Sequence, residues 1–301
     1  MAERDAILHM FSAASNLSPF DVNMAIDAGW QHCIPYTALG ADQIADLTQD
    51  AIFSRGPKGV RRTGIFIGGR DIHLAMDMLR AARKAMVPPF EVSVFADPSG
   101  AFTTAAGMVA CAEKHFRAQT GGTPLDGSRA VIFGGTGPVG MTCAVLLAQV
   151  GARPVIVSHH DQFKADAAAA QCRERYSVEV SGADGSDDAK VRGLLAEADL
   201  VFSAAKAGVQ VLDAQQLGVA KQARVLCDVN AVPPEGIAGV GVMDDGVPVA
   251  ATPQPAVGIG ALAVGNVKYQ TQQDLLRQML ASDGPVYLDF RQAFETARTR
   301  V

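Results

Sequence analysis

Positive charge is the first thing this 301-residue sequence lacks in surplus: 26 Lys and Arg face 31 Asp and Glu, for a formal net charge of −5. Nucleic-acid backbones are bound by cations that neutralise phosphates, so nucleic acid is excluded as a partner. Long apolar runs are missing as well. The most hydrophobic stretches, such as 141–152, are too short and interrupted for the roughly 20 residues that span a bilayer, which excludes a membrane-embedded role. The opening MAERDAILHMFSA mixes acidic and basic residues and has neither the cationic start nor the apolar stretch of a secretory signal. The protein is therefore expected in the cytoplasm. Cysteine is scarce and scattered: Cys33, Cys111, Cys143, Cys172 and Cys227 form no C-x-x-C pair. An odd, dispersed set excludes a disulfide framework and a zinc knuckle, and no metal is expected. Such thiols are read as small buried hydrophobes. Aromatics make up 6% of the chain, which leaves little surface on which a ligand could stack.

What is present is a chain with 49% hydrophobic residues and 30 glycines, enough to bury sizeable cores. At roughly 100 to 200 residues per domain, the length predicts two domains. Strand-like runs alternate with helical patterns from the start: AILHMFSA, PFDVNMAIDAG, HCIPYT, GADQIADLTQDAIF, TGIFIGG, DIHLAMDMLRAARKAM, EVSVFAD and TTAAGMVACAEKHFRAQ. That order is βαβαβαβα, and alternation of this kind builds a parallel sheet. Ser18 is placed to cap the first helix, with Pro19 at its first position and Gly29 just past its end. The first domain is expected over 1–102, joined by a helix over 103–120. A turn-rich stretch at 120–128 precedes a second alternation, expected as a nucleotide-binding domain over 126–269. Its strands are RAVIF, PVIVS, VEV at 178–180, DLVFSA and RVLCDV. The segments 270–280 and 289–300 read as helices, and the stretch 270–301 is expected to return to the first domain. The fold class is α/β: two domains with parallel sheets, the second of Rossmann type.

The most informative motif is Phe133-Gly-Gly-Thr-Gly-Pro-Val-Gly140, in which Gly135, Gly137 and Gly140 fit G-x-G-x-x-G. A hydrophobic strand precedes it and a helix follows, which is the setting the motif needs. The first glycine permits the turn, the second lets a pyrophosphate approach the backbone, and the third lets helix and strand pack. Gly135, Thr136, Gly137, Pro138 and Val139 are thus candidate coenzyme contacts, with the helix N-terminus facing the anion. An NAD site places a carboxylate at the end of the next strand to take the ribose 2′-hydroxyl. Here that strand ends in Ser158-His159-His160, with Lys164 nearby. These donors suit a 2′-phosphate, which favours NADP while leaving NAD open. The two imidazoles, being adjacent in sequence, are expected to point apart.

Three further segments put polar residues at predicted strand ends, where open α/β sheets bind ligands. They are 95–104 (FADPSGAFTT), 228–236 (DVNAVPPEG) and 257–268 (VGIGALAVGNVK). A plainer reading stands beside each: Asp97 and Thr103 as helix caps, 228–234 as a loop, Lys268 as surface charge.

The blocks SPFDVNMAIDAG, LTQDAIFSR, RTGIFIGG, VPPF, FADPSGAFTTAA, FGGTGPVG, DVNAVPPEGIAG and VGIGALAVGNVKYQTQ together resemble the bacterial NAD(P)-dependent methylene-tetrahydromethanopterin dehydrogenases. The resemblance runs from about residue 5 to about 292 and is weakest over 153–225. It implies an enzyme of one-carbon, formaldehyde-oxidising metabolism that passes a hydride from the methylene carbon of methylene-tetrahydromethanopterin to NADP or NAD. No proton moves in that step, so a general base is not needed, and positioning and electrostatics carry the catalysis. The resemblance and the strand-end positions together suggest Asp21, Asn23, Tyr36, Thr37, Ser99, Phe102, Thr103 and Thr104 as substrate contacts. They suggest Asp97 and Lys268 as catalytic candidates. Ser203, Ala204, Ala205, Asp228, Asn230 and the turn Gly258-Ile259-Gly260 are then expected around the nicotinamide. A homo-oligomer with small-molecule partners is expected. Two alternatives remain: a methylenetetrahydrofolate dehydrogenase, and a non-catalytic NAD(P)-binding sensor. No tyrosine is followed four residues later by lysine, which disfavours an added cyclohydrolase activity.

Overall fold

The computed structural model describes residues 4–301. The chain divides into two compact units, one of Met1–Thr103 with Tyr269–Thr296 and one of Thr104–Lys268 with Ala297–Val301.

The first unit holds β1 (Ile7–Phe11), α1 (Pro19–Asp27), β2 (His32–Tyr36), α2 (Ile44–Phe53), α3 (Gly56–Val60), β3 (Thr63–Ile67), α4 (Ile72–Lys84) and β4 (Ser93–Ala96). α5 (Ala101–Gln119) begins here and continues into the second unit. Every residue of β3 is buried, as expected of a strand covered on both faces. Ser18 and Pro19 occupy the expected cap and first helical positions of α1, but the Ser18 side chain makes no capping bond. Gly29 follows the helix with φ +104°, a conformation that favours glycine. α4 is capped by Asp71, whose carboxylate accepts the N–H groups of His73 and Leu74, and it ends in Arg83 and Lys84, which suit the helix dipole.

The second unit carries β5 (Arg129–Phe133), α6 (Pro138–Gln149), β6 (Arg153–Ser158), α7 (Gln162–Tyr176), β7 (Ser181–Asp184), α8 (Asp188–Ala196), β8 (Leu200–Ser203), α9 (Ala214–Leu217), β9 (Val225–Asp228), β10 (Asp245–Pro248) and β11 (Val257–Ile259). α10 (Ala261–Ala281) then runs on into the first unit, which also receives β12 (Tyr287–Leu288) and most of α11 (Phe290–Arg298). The first unit's sheet has the order β12-β4-β3-β1-β2, all parallel. The second has the order β10-β11-β9-β8-β5-β6-β7, parallel except for β10. The chain leaves β5 towards β6 and β7, then returns to its other side with β8 and β9. The point between β5 and β8 is therefore the topological switch, where a doubly wound sheet opens a crevice at its strand ends.

Two local expectations are corrected. The strand expected at 178–180 lies at Ser181–Asp184 instead, because Ser177 turns left-handed (φ 54°) after α7 and only the later residues come into register with Val155–Ser158. The expected turn over 258–260 is largely strand: Gly258 and Ile259 sit in β11, paired with Leu226 and Cys227 of β9.

Candidate active site

The second unit's crevice has a volume of about 550 Å³ and is lined from β5 by Phe133 and the glycine turn, from β6 by Val157 and His159, and from the segment after β8 by Ala204, Ala205 and Lys206. The turn is close-packed. A Cβ on Gly135 would stand 2.6 Å from the Ile132 carbonyl oxygen, and one on Gly140 would stand 2.5 Å from that of Gly134. Gly137 is less confined, with 3.3 Å to the Gly134 oxygen, and it caps α6 without a side chain. The first N–H groups of α6 thus have no side-chain cap, which is what an approaching pyrophosphate requires. Gly134, which the motif alone did not single out, has φ +69°, and a Cβ there would overlap the backbone of Ala204 and Ala205. It lets the β5 turn meet the β8 turn across the switch point.

Of the remaining coenzyme candidates, Thr136, His159, Ala204 and Ala205 line the crevice along with Gly137. Ser158 is buried, and its hydroxyl accepts the N–H groups of His160 and Asp161. Lys164 is exposed on α7. The rings of His159 and His160 do not point apart as expected but lie 3.9 Å apart, centroid to centroid. Asp228 is buried and accepts the N–H groups of Asn230, Gly236 and Ile237. Burial pushes its carboxyl upward, opposed by those hydrogen bonds and by the Ser203 hydroxyl. Asn230 accepts from Gly208 and Val232 and donates to the Pro234 carbonyl. Ser203, Asp228 and Asn230 therefore hold the 228–237 loop in place. Gly258 and Gly260 accommodate Val240, Val249 and the backbone at 241–242.

In the first unit, a cavity of about 240 Å³ is lined by Ala14, Asn16, Ser18, Pro19, Asp21, Gly69, Arg70 and Ser99. It brings together two of the predicted substrate contacts, Asp21 and Ser99. Asp21 is 3% exposed, and one of its carboxylate oxygens accepts from Gln272 Nε2 at 3.0 Å. Ser99 has φ 53° and donates its hydroxyl to the Gly69 carbonyl at 2.7 Å. Asn16, Arg70 and Gln272 were not singled out from the sequence; Arg70 stands just past the C-terminal end of β3, the same strand-end signal that marked other candidates. Tyr36 is half-buried, its hydroxyl 3.1 Å from His9 Nδ1 and its ring edge-on to Phe11. Asn23 and Thr37 are exposed, and Thr104 is half-buried.

Phe102 is a clear correction. It is fully buried, packed edge-on against Phe290 at 5.3 Å, and presents no face for a substrate to stack on. Asp97 and Thr103 are also wholly buried. Asp97 accepts the N–H groups of Phe102 and Thr103 and the Thr103 hydroxyl, so it fixes the start of α5. Lys268 is half-buried on the part of α10 that belongs to the second unit. A third cavity, of about 190 Å³, lies at the N-terminal ends of β3 and β4, beside Thr63 and Ser93. Parallel sheets bind their ligands at the opposite strand ends.

The architecture is shared with 5-ketofructose reductase of Gluconobacter sp. strain CHM43, with a TM-score of 0.53 at 18% identity and 100% of each chain covered. At that identity the likeness concerns the fold alone, a Rossmann-type α/β architecture. Sequence relationships are closer. The chain is 48% identical over 292 residues to the NAD(P)-dependent methylenetetrahydromethanopterin dehydrogenase of Methylorubrum extorquens, covering 97% of each. It is 31% identical over 292 residues to the bifunctional protein MdtA of the same organism, covering 97% of this chain and 98% of that one. Residues 19–99 match the profile of the methylene-tetrahydromethanopterin dehydrogenase N-terminal domain. The chain belongs to the methylene-tetrahydromethanopterin dehydrogenase family.

Proposed function

We propose that this protein oxidises methylene-tetrahydromethanopterin to methenyl-tetrahydromethanopterin, passing a hydride to NAD(P). The 48% identity across 97% of the chain to a dehydrogenase of that name carries the reading. The fit of the glycine turn to a pyrophosphate supports it, since the turn presents uncapped N–H groups with no side chain in front of them. When bound, NAD(P) supplies the hydride acceptor.

The protein's own part is binding and orientation. The α6 N-terminus and the Gly134–Gly137 turn would hold the diphosphate, and the small side chains of Ala204 and Ala205 would leave room for a flat ring. In the first unit, Asp21, aimed by Gln272, and Ser99 offer a carboxylate and a hydroxyl to the amino and ring N–H groups of a pterin. Their fixed dipoles suit the positive charge that develops as the methylene carbon becomes a methenyl cation. Asp97 acts as a positioning residue: it sets the start of α5 and with it the strained turn at Ser99. Lys268 is proposed to orient the substrate rather than to move a proton. We place the reaction in the cytoplasm and in a homo-oligomer. No described helix is long and apolar enough to cross a membrane.

The test is turnover of methylene-tetrahydromethanopterin with NAD and with NADP, followed by absorbance of the reduced coenzyme. Methylene-tetrahydrofolate serves as the comparison substrate.

A further inference from the structure

The first unit's cavity sits at the C-terminal ends of three neighbouring parallel strands. Asn16 comes from the segment after β1, Gly69 and Arg70 from the segment after β3, and Ser99 from the segment after β4, while Asp21 enters from the first turn of α1. β3 is the middle strand of the five, so Arg70 stands at the centre of this edge. The backbone leading to it is pinned on both sides. The Gly68 N–H donates to the Phe11 carbonyl at 2.8 Å, and the Gly69 carbonyl accepts the Ser99 hydroxyl at 2.7 Å.

The polar groups of the cavity divide into acceptors and one cationic donor. Asp21, when ionised, can only accept, and the Gln272 amide holds one of its oxygens at 3.0 Å. Ser99 commits its proton to Gly69, which leaves its oxygen to accept. Arg70 can only donate. The carboxylate next to it in sequence, Asp71, is occupied as the cap of α4, taking the His73 N–H at 2.8 Å and the Leu74 N–H at 3.0 Å. Asp97, after β4, is buried and turned to the start of α5. Arg70 therefore has no ion-pair partner among the described residues, and its guanidinium lines the same cavity as Asp21.

Along one edge of its pyrimidinone ring, a pterin presents the 4-oxo oxygen as an acceptor, then the N3–H and the 2-amino group as donors. We infer that Arg70 is a specificity-determining residue for this head group: its guanidinium donates to the 4-oxo oxygen while Asp21 accepts from N3–H and the 2-amino group. The inference rests on the first unit's cavity being the pterin site. A 4-amino head would turn the acceptor into a donor and strip the hydrogen from N3. Donor then meets donor at Arg70, and a nitrogen lone pair meets the carboxylate at Asp21. A site built to hydrogen-bond one group rejects the analogue that cannot reciprocate, because its own polar groups are left unpaired. Each lost charge-assisted bond changes affinity by roughly tenfold or more. Arg70 binds and orients the ring and moves no proton.

Calorimetric titration of the whole protein gives dissociation constants for 6-methyltetrahydropterin and for its 4-amino counterpart, in mildly alkaline buffer where both rings are uncharged. Neither probe carries the side chain of the natural substrate, so the comparison reports the head group alone. The native protein should prefer the 4-oxo head by roughly a hundredfold, one factor of about ten from each mismatch. Arg70→Met should cut that preference to roughly tenfold and raise KM for methylene-tetrahydromethanopterin by about the same factor, with NADPH affinity unchanged. Arg70→Lys, which keeps a cationic donor, should restore part of the preference. The side chain is exposed, so neither substitution should move the thermal midpoint. An unchanged preference in Arg70→Met would overturn the inference even if KM rose, because a rise alone would put Arg70 on the substrate's side chain; turnover by the native protein would leave the dehydrogenase reading standing. Failure of the native protein to oxidise any methylene pterin with either coenzyme would overturn that reading and, with it, this one.

Discussion

Asp97 and Thr103 are joined twice: the Asp97 carboxylate accepts the Thr103 hydroxyl at 2.6 Å and the Thr103 N–H at 3.2 Å, and both residues are wholly buried. This pair is the hinge-pin of the 97–103 segment that presents Ser99 to the first unit's cavity. Asp97→Ala strands two N–H groups and leaves the buried Thr103 hydroxyl only its longer contact, 3.4 Å, with the Gly100 carbonyl, which should cost about 3 kcal/mol in stability. Thr103→Val removes one bond and should cost about 1 kcal/mol. Urea unfolding of both single variants and the double variant checks this, with strong coupling expected between the two sites. Native-like stability of Asp97→Ala combined with lost turnover would move Asp97 into the chemistry instead.

The glycine turn predicts a graded series. Gly135→Ala and Gly140→Ala place a methyl within 2.6 Å of backbone atoms, so both should destabilise the second unit and abolish coenzyme binding. Gly137→Ala meets its neighbour at 3.3 Å and needs only a small adjustment. That variant should fold with a nearly unchanged thermal midpoint yet bind NADPH at least roughly tenfold more weakly, because the methyl stands where the pyrophosphate approaches. Thermal melts beside NADPH titrations separate the two effects.

Asp21 and Gln272 make a prediction about substrate alone. Gln272→Leu removes the amide that aims the Asp21 carboxylate, worth about 1.4 kcal/mol, or roughly tenfold, to an interaction that depends on it. KM for the pterin should rise by that order while the Kd of NADPH stays put. Steady-state kinetics with varied pterin, together with NADPH binding, provide the check. A loss of NADPH affinity with unchanged KM would contradict the placement of the pterin.

Acid sensitivity should come partly from Asp184. The Lys190 ammonium, then Ser186, hydrogen-bonds its carboxylate and holds it down to about 2. A depressed carboxylate stabilises the fold above the ordinary carboxylate range, and that contribution is lost as pH falls from about 4 towards about 2. Lys190→Gln should therefore flatten the acid limb of a plot of thermal midpoint against pH by lowering the midpoint slightly near neutrality and not at about pH 2, a small effect because the pair lies at the surface.

Much of this architecture was legible in the sequence because its signals are local. Strand and helix periods gave β1 to β6, and glycines between a hydrophobic strand and a helix located the phosphate turn. Asp21 is a different matter: its partner Gln272 lies 251 residues away, and no local pattern announces the pair. Phe102 read as a substrate contact because it follows a strand end, yet Phe290, far along the chain, covers it. Asp228 and Asn230 stand at the strand end as expected, but the backbone of their own loop occupies their polar atoms, which residue types alone do not disclose. The His159–His160 stack is a matter of side-chain rotamers, and sequence adjacency suggested the opposite arrangement.

The central claim is hydride transfer from a methylene pterin, and single-turnover assays with purified protein test it most directly. Methylene-tetrahydromethanopterin mixed with NADP or NAD should yield reduced coenzyme and methenyl-tetrahydromethanopterin in equal amounts, with the tetrahydrofolate analogue turned over far less efficiently. Binding of both ligands without coenzyme reduction, or reduction by the folate alone, would contradict the account.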